Sequence, residues 1–342
     1  MNLNALIASM LVALATADPA ADQYPPPKQT APPNDAWSQA VLPSLNVADT
    51  PSAAPMTRLR YDLGVYQCIG NSDWAITYDD GPTQFTPQLL EALAKRNVKA
   101  TFFVLGMQVV QFPQFLKDAY NAGHQIGIHT WSHQYMTTLT NEQIVSEIVW
   151  TAKAIKETIG VTPVYFRPPF GDMDERVHAV TAAMGLKAAL WNFVSGDANT
   201  PTNPNLVADM TAEAQKTPKY GHISLEHDIA QLYVDEAILA LDAVIASGYN
   251  IVTMDQCIGD TAVYDESFWT KFGPNTVSPI SNGAAINSSR PAVAATSNSN
   301  ISQIPIPKGS SGNTSGGNAN VVKEGISFFN MVAAIALGIF AF

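Results

Sequence analysis

Residues 75–82 read AITYDDGP: four residues suited to a β-strand, then the adjacent pair Asp79 and Asp80, then a turn-forming Gly-Pro. Two neighbouring carboxylates at a strand end repel each other unless a positive charge sits beside them. The stretch therefore asks for a cation and for a chemistry that uses both acids. Outward from it, strand-like and helix-like segments alternate. Further strands are expected at Ala100–Leu105, Gln125–His129, Val164–Arg167, Ala188–Asn192, His222–Glu226 and Asn250–Met254. Helices are expected from an N-cap at Thr86 with Pro87 at the first helical position to about Arg96, at Pro113–Ala122, and from a Thr140/Gln143 capping box to just before Gly160. Three more are expected at Asp174–Met184, Asn205–Gln215 and Val234–Ser247.

Seven strands separated by helices imply parallel pairing with the helices outside, and a closed or nearly closed barrel is favoured over a doubly wound sheet. No Gly-x-Gly-x-x-Gly follows any strand, so nothing supports a dinucleotide site. Asp79, Asp80, His129, Arg167, Asp197 and His227 all fall at or just beyond C-terminal strand ends, which share one face in a barrel.

The run HTWSH sets His129 and His133 four residues apart, so both rings can face one divalent ion. With Asp80 they form a set of two imidazoles and one carboxylate that leaves a position open for water, the pattern of catalytic zinc. Asp79 is then the candidate general base, and Arg167 of RPPFGD is placed to hold it ionised. Loop amides, including that of Phe170, can donate to an oxyanion. In SLEHD, His227 can protonate a leaving nitrogen, Asp197 can fix its tautomer, and Leu225 points the same way and can line a small apolar pocket. His124, His178 and His222 have no partner in this pattern and read as structural.

The ordered set TYDDGP, HTWSH, RPPFGD, SGD and SLEHD resembles the five motifs of the polysaccharide deacetylases, carbohydrate esterase family 4, over about residues 60–262. The resemblance implies a distorted (β/α)7 barrel; length and composition add that it is a single catalytic domain with disordered flanks. The resemblance implies zinc, or cobalt or manganese in its place, on Asp80, His129 and His133. It also implies Asp79 as base oriented by Arg167, and His227 as acid oriented by Asp197. With its leader, sequons and tail the chain is most similar to the fungal chitin deacetylases, which implies chitin or N-acetylglucosamine oligomers as substrate. Acetylxylan or peptidoglycan is the alternative substrate, and a catalytically weak, wall-anchored glycan-binding protein the alternative class. Two positions depart from the family: Phe170 replaces the usual Tyr, and Ala198 and Asn199 come after Asp197 where the family has Trp. Trp191 and Trp131 are the candidates to replace the missing indole.

The flanks differ in composition. Residues 1–17, an apolar run closed by Ala-Thr-Ala, read as a secretory signal peptide. Residues 18–59, with QYPPPKQTAPPND, read as an extended Pro-rich leader, and 263–312 as a Ser/Asn-rich linker. Sequons stand at Asn287 and Asn300 in the linker and at Asn313 just beyond it. Residues 313–342, where small and polar residues precede the apolar run Ile326–Phe342, match a GPI-anchor signal better than a spanning helix. The expected location is therefore outside the cell, in the wall and on the outer face of the plasma membrane, with the lipid anchor as the only membrane contact. The only cysteines, Cys68 and Cys257, are the natural disulfide of an exported chain, adding about 4–5 kcal/mol in the chain-entropy model. A net charge of −11 argues against nucleic acid and anionic lipid surfaces. Nothing in the sequence speaks to oligomeric state.

Overall fold

Alternation along one strand sorts the molecule into an inside and an outside. In β1 (Asp73–Asp79), Ala75 joins an inner apolar cluster with Phe103, Tyr165, Trp191 and Ile223, while Trp74, Ile76 and Tyr78 join the larger layer between sheet and helices. The computed structural model describes residues 18–272 apart from Thr57 and Thr200. Segment 1–17, the linker beyond 272, the sequons at Asn287, Asn300 and Asn313, and segment 313–342 lie outside the described residues. No helix among the described residues is long and apolar enough to cross a membrane.

The chain runs α1 (Asp35–Val41), β1, α2 (Thr86–Lys95), β2 (Thr101–Val104), α3 (Gly106–Gln111), α4 (Pro113–Asn121), β3 (Gln125–Ile128), α5 (Asn141–Ile159), β4 (Tyr165–Phe166) and α6 (Glu175–Ala183). It continues β5 (Lys187–Ala188), β6 (Phe193–Val194), α7 (Leu206–Ala214), β7 (His222–His227), α8 (Gln231–Ala246), β8 (Asn250–Val252), α9 (Met254–Ile258) and α10 (Phe268–Phe272). All paired strands are parallel, in the order β5-β4-β3-β2-β1-β7-β6, with β8 on the first residues of β1. The sheet curls into an incomplete barrel. The expected strand at Ala188–Asn192 is two short strands divided by a bend, because one segment serves both edges. Its first part pairs with β4 and its second with β7. Val65 lies alongside the bend, and the Leu190 N–H donates to its carbonyl at 2.6 Å.

Local signals behave as their chemistry dictates at α5, where Thr140 and Gln143 form the reciprocal capping box and Gly160 closes the helix at φ +80°. At α2 the cap differs from expectation. Thr86 is already helical, and its hydroxyl accepts from the Thr83 N–H and donates to Asp228 rather than capping its own helix.

The flanks require a correction. Residues 18–59 are packed rather than extended. Tyr24 and Trp37 are buried against Trp150 of α5, and α1 carries an Asn34 cap that accepts from the Trp37 N–H at 3.2 Å. Burying each ring is worth roughly 3 kcal/mol. At the other end Phe268 and Phe272 of α10 are buried, and α10 packs on α1. The segment lacks periodicity because it takes an irregular path held by single aromatic anchors. Cys68 and Cys257 are disulfide-bonded within the inner cluster.

The outer face of β7 carries a testable feature. Glu226, in register with Tyr78, is fully buried, and among the described residues only Ser224 Oγ donates to it, at 2.9 Å. Burial, with help from the Asp197 charge, pushes its carboxyl up to about 8. An unfolded glutamate ionises near 4.3, so between those values the folded chain holds the extra proton and stability falls as pH rises. Glu226→Gln should therefore be more stable than the parent at pH 8 by about 2–4 kcal/mol and nearly equal at pH 4.5. Urea unfolding across that range checks it, and parallel pH profiles for the two proteins would refute it.

Candidate active site

The expected polar residues converge on the mouth of the barrel at the C-terminal strand ends. β1 ends at Asp79, and the Asp80 N–H continues the ladder by donating to Phe103 O at 3.2 Å. The His129 N–H donates to Val104 O at 2.9 Å and the Arg167 N–H to Ile128 O at 2.8 Å, so both extend strands β3 and β4. His227 ends β7, and Asp197 lies just beyond β6.

Asp80 Oδ1 stands 3.3 Å from His129 Nε2 and 3.2 Å from His133 Nε2. His129 Nδ1 lies 2.8 Å from the Arg167 carbonyl, which only accepts, so Nδ1 carries the proton and Nε2 presents a lone pair to Asp80. Asp80 Oδ1 is buried and has no hydrogen-bond donor. An acceptor facing two imidazole nitrogens at this range fits a cation, and these are the residues whose ligand atoms, all within 4.8 Å of one another, suit a metal ion. Burial alone would raise the Asp80 carboxyl, but the facing His133 and His129 imidazoles and His227 outweigh it and hold it well below the usual carboxylate range. Burial pushes His133 down to about 4, so it is a neutral donor at neutral pH.

Two groups flank this set. On one side Asp79 Oδ2 is 3.7 Å from His129 Nε2, while Asp79 Oδ1 accepts from Arg167 at 2.9 Å. Arg167 is fully buried over the Phe103 ring and also donates to Thr77 Oγ1, Ala189 O and Leu190 O. On the other side His227 Nε2 is 4.0 Å from Asp80 Oδ2. Its Nδ1 bonds Asp197 Oδ1 at 2.8 Å, and its N–H donates to Asp197 Oδ2 at 2.7 Å. Burial opposes charge on His227, but Asp197 holds its pKa up to about 9. Leu225 lies two residues before His227 on the same strand, packed against the inner cluster.

Trp131 and Trp191 do not wall the site. They are 1% and 6% exposed, the first packed against Tyr24 and Gly106 and the second inside the barrel beside Arg167. The aromatic surface at the rim is Phe170, 43% exposed, stacked on Tyr135 at 4.0 Å and edge-on to His133 at 4.5 Å. Ala198 is exposed.

The described residues include six non-glycine positions at positive φ. Four of them, Asp80, Thr130, His133 and Phe170, surround this site. Each costs on the order of 1–3 kcal/mol and aims a ligand or loop that regular structure would point elsewhere. Sequence reading gave no role to Glu147 or Asp172, both buried. Glu147 Oε2 accepts from the N–H groups of Trp131 and Ser132, each at 2.8 Å. Asp172 accepts from the N–H groups of Thr137 and Met56 at 2.8 and 2.7 Å. The signal for Glu147 was present: it is the lone acid inside the apolar run IVSEIVW. His124 and His222 are buried, the latter against Trp74, as structural histidines are.

The family model for polysaccharide deacetylases matches residues 67–189. Chitin deacetylase 1 of Saccharomyces cerevisiae is 36% identical over 216 residues, covering 60% of this chain and 69% of that protein. The chain belongs to the polysaccharide deacetylase family. Among other relatives, chitin deacetylase 1 of Cryptococcus neoformans var. grubii is 43% identical over 58% of this chain and 46% of its own length. The chain thus spans about half the length of several curated relatives that it matches. The chitin deacetylase of Colletotrichum lindemuthianum superposes with a TM-score of 0.55 at 28% identity, over 59% of this chain and 95% of that one. That likeness accords with the curled parallel sheet of this polysaccharide deacetylase and its helices.

Proposed function

We propose that this polysaccharide deacetylase is a divalent-metal-dependent chitin deacetylase, converting N-acetylglucosamine residues of chitin to glucosamine with release of acetate. The observation that carries the reading is the flanking of Asp80, His129 and His133 by an Arg167-paired carboxylate on one side and an Asp197-paired imidazole on the other. The names of the relatives in yeast and Cryptococcus support chitin as the substrate.

A divalent ion on Asp80, His129 and His133, zinc before cobalt or manganese, would polarise the acetamide carbonyl and acidify water. Asp79, oriented by its bond from Arg167, accepts the proton of the attacking water as its oxygen bonds the carbonyl carbon. The backbone amide of Phe170 donates to the oxyanion that forms. His227 gives its Nε2 proton to the departing nitrogen as the C–N bond breaks, while Asp197 keeps Nδ1 protonated. The products are an amine and acetate, with one water consumed. Leu225 offers an apolar wall for the acetyl methyl, and the Phe170 ring, backed by Tyr135, offers a face to a pyranose ring.

Acetate release from N-acetylglucosamine oligomers tests the reading. Activity should be lost on chelation and restored by zinc. No release with zinc stoichiometrically bound would overturn it in favour of another acetylated glycan as substrate or a glycan-binding role. We also propose that the chain is exported, a reading supported by its Cys68–Cys257 disulfide.

A further inference from the structure

The metal loop 129–133 is held from outside the barrel as well as from within it. Its central residue Trp131 lies between two packing partners. On one side is the Tyr24 ring, stacked at 5.6 Å and 6°. On the other is Gly106 at the start of α3, where a Cβ would come within 2.4 Å of the indole. The N–H groups of Gly106 and Met107 donate to the carbonyls of Thr130 and Trp131 at 3.0 and 3.3 Å. The Trp131 indole N–H in turn reaches Pro26 O at 3.4 Å.

Glu147 joins the two sides. Its Oε2 accepts from Trp131 and Ser132 N–H, and its Oε1 accepts from Ser132 Oγ and from the Ala31 N–H, all at 2.8 Å. One buried carboxylate thus binds the N-terminal segment and the loop between His129 and His133. The same segment then runs along the chain toward RPPFGD. Asp49 accepts from the Asn141 N–H at 2.8 Å, the Ser52 N–H donates to Thr137 O at 2.7 Å, and the Met56 N–H donates to Asp172.

We propose that residues 18–59 are a positioning strap for the metal loop, with Tyr24 and Glu147 as the positioning residues that hold His129 and His133 at ligand spacing. The proposal rests on the metal-site reading above. Neither residue touches substrate or a ligand atom. Their effect passes through Trp131 and Ser132, which lie between the two histidines. Outer partners that orient metal ligands commonly change metal affinity 10–100-fold.

The test uses the full chain carrying Tyr24→Ala or Glu147→Gln, with Trp37→Ala as a control that removes a strap anchor packed on Trp150 but not on the loop. Zinc affinity is read by competition with a chromophoric chelator, and amide hydrogen exchange of 129–133 is monitored in the metal-free proteins. Tyr24→Ala and Glu147→Gln should bind zinc about 10–100-fold more weakly and exchange faster at 129–133, with Trp37→Ala within about twofold of the parent in affinity. Parental affinity and exchange in a folded Tyr24→Ala protein would overturn the proposal, and that variant decides alone if Glu147→Gln does not fold. If the parent binds no zinc, the metal reading fails, while the exchange comparison still decides whether the strap holds the loop.

Discussion

Asp79→Asn is expected to lower kcat on N-acetylglucosamine oligomers by about 10²–10⁴-fold while zinc stays bound, because asparagine cannot take the proton of water. The ligand set of Asp80, His129 and His133 is untouched by the change. A second effect should accompany it. Arg167 is fully buried, and Asp79 is its charge partner, at 2.9 Å. Asparagine keeps the shape and one acceptor, but the guanidinium is left without its counter-charge, a loss of about 3–5 kcal/mol in buried pairs. At about 2–4 °C per kcal/mol for a domain of this size, the melting temperature should fall by about 10 °C. Single-turnover acetate release, zinc content and calorimetry on one preparation separate the two effects. Retention of the parental kcat would remove Asp79 from the role of base.

His227→Gln should be the other large loss, about 10²–10⁴-fold on the amide substrate, and here the leaving group makes the measurement specific. A departing amine must be protonated, whereas a nitrophenolate leaves without help. Hydrolysis of 4-nitrophenyl acetate should therefore fall by less than about tenfold in the same variant. His227 is suited to this task because Asp197 bonds both its Nδ1 and its backbone N–H, which fixes the ring and leaves Nε2 directed at the site. Equal losses on amide and ester would refute proton donation and leave His227 with a binding role.

The barrel and the converging residues were legible because both arise from short-range regularities. Period-two alternation in β1 puts Ala75 and Asp79 on one side and Tyr78 on the other, and strand ends gather on one face whatever the loops do. The Thr140 capping box is a rule of local geometry and appeared where expected. What was not legible depends on contacts far apart in the chain. Tyr24 reads as one ring in a proline-rich run, and its partner Trp131 lies more than a hundred residues away. Trp131 and Trp191 are near the site in sequence but face other aromatic and apolar groups, since an indole in a strand-end loop can turn either way. The division of 187–194 into two strands comes from barrel closure, which no residue within the segment announces. Positive φ at Thr130, His133 and Phe170 was equally hidden, as neither threonine nor phenylalanine favours that region and the histidine spacing speaks only to ligation.

The disulfide divides the working parts of the protein into two mechanical classes. Every residue to which the reaction is assigned, from Asp79 to His227, lies within the covalent ring closed by Cys68 and Cys257. A protease that cuts a single loop inside that ring leaves both pieces joined and their strands still paired. The segment 18–59 lies outside the ring, as a free arm held by side chains and backbone hydrogen bonds alone. A single cut after it would free it from every covalent link to the ring, so the arm that rests on the loop between His129 and His133 is open to loss by one cut in a way the reacting residues are not.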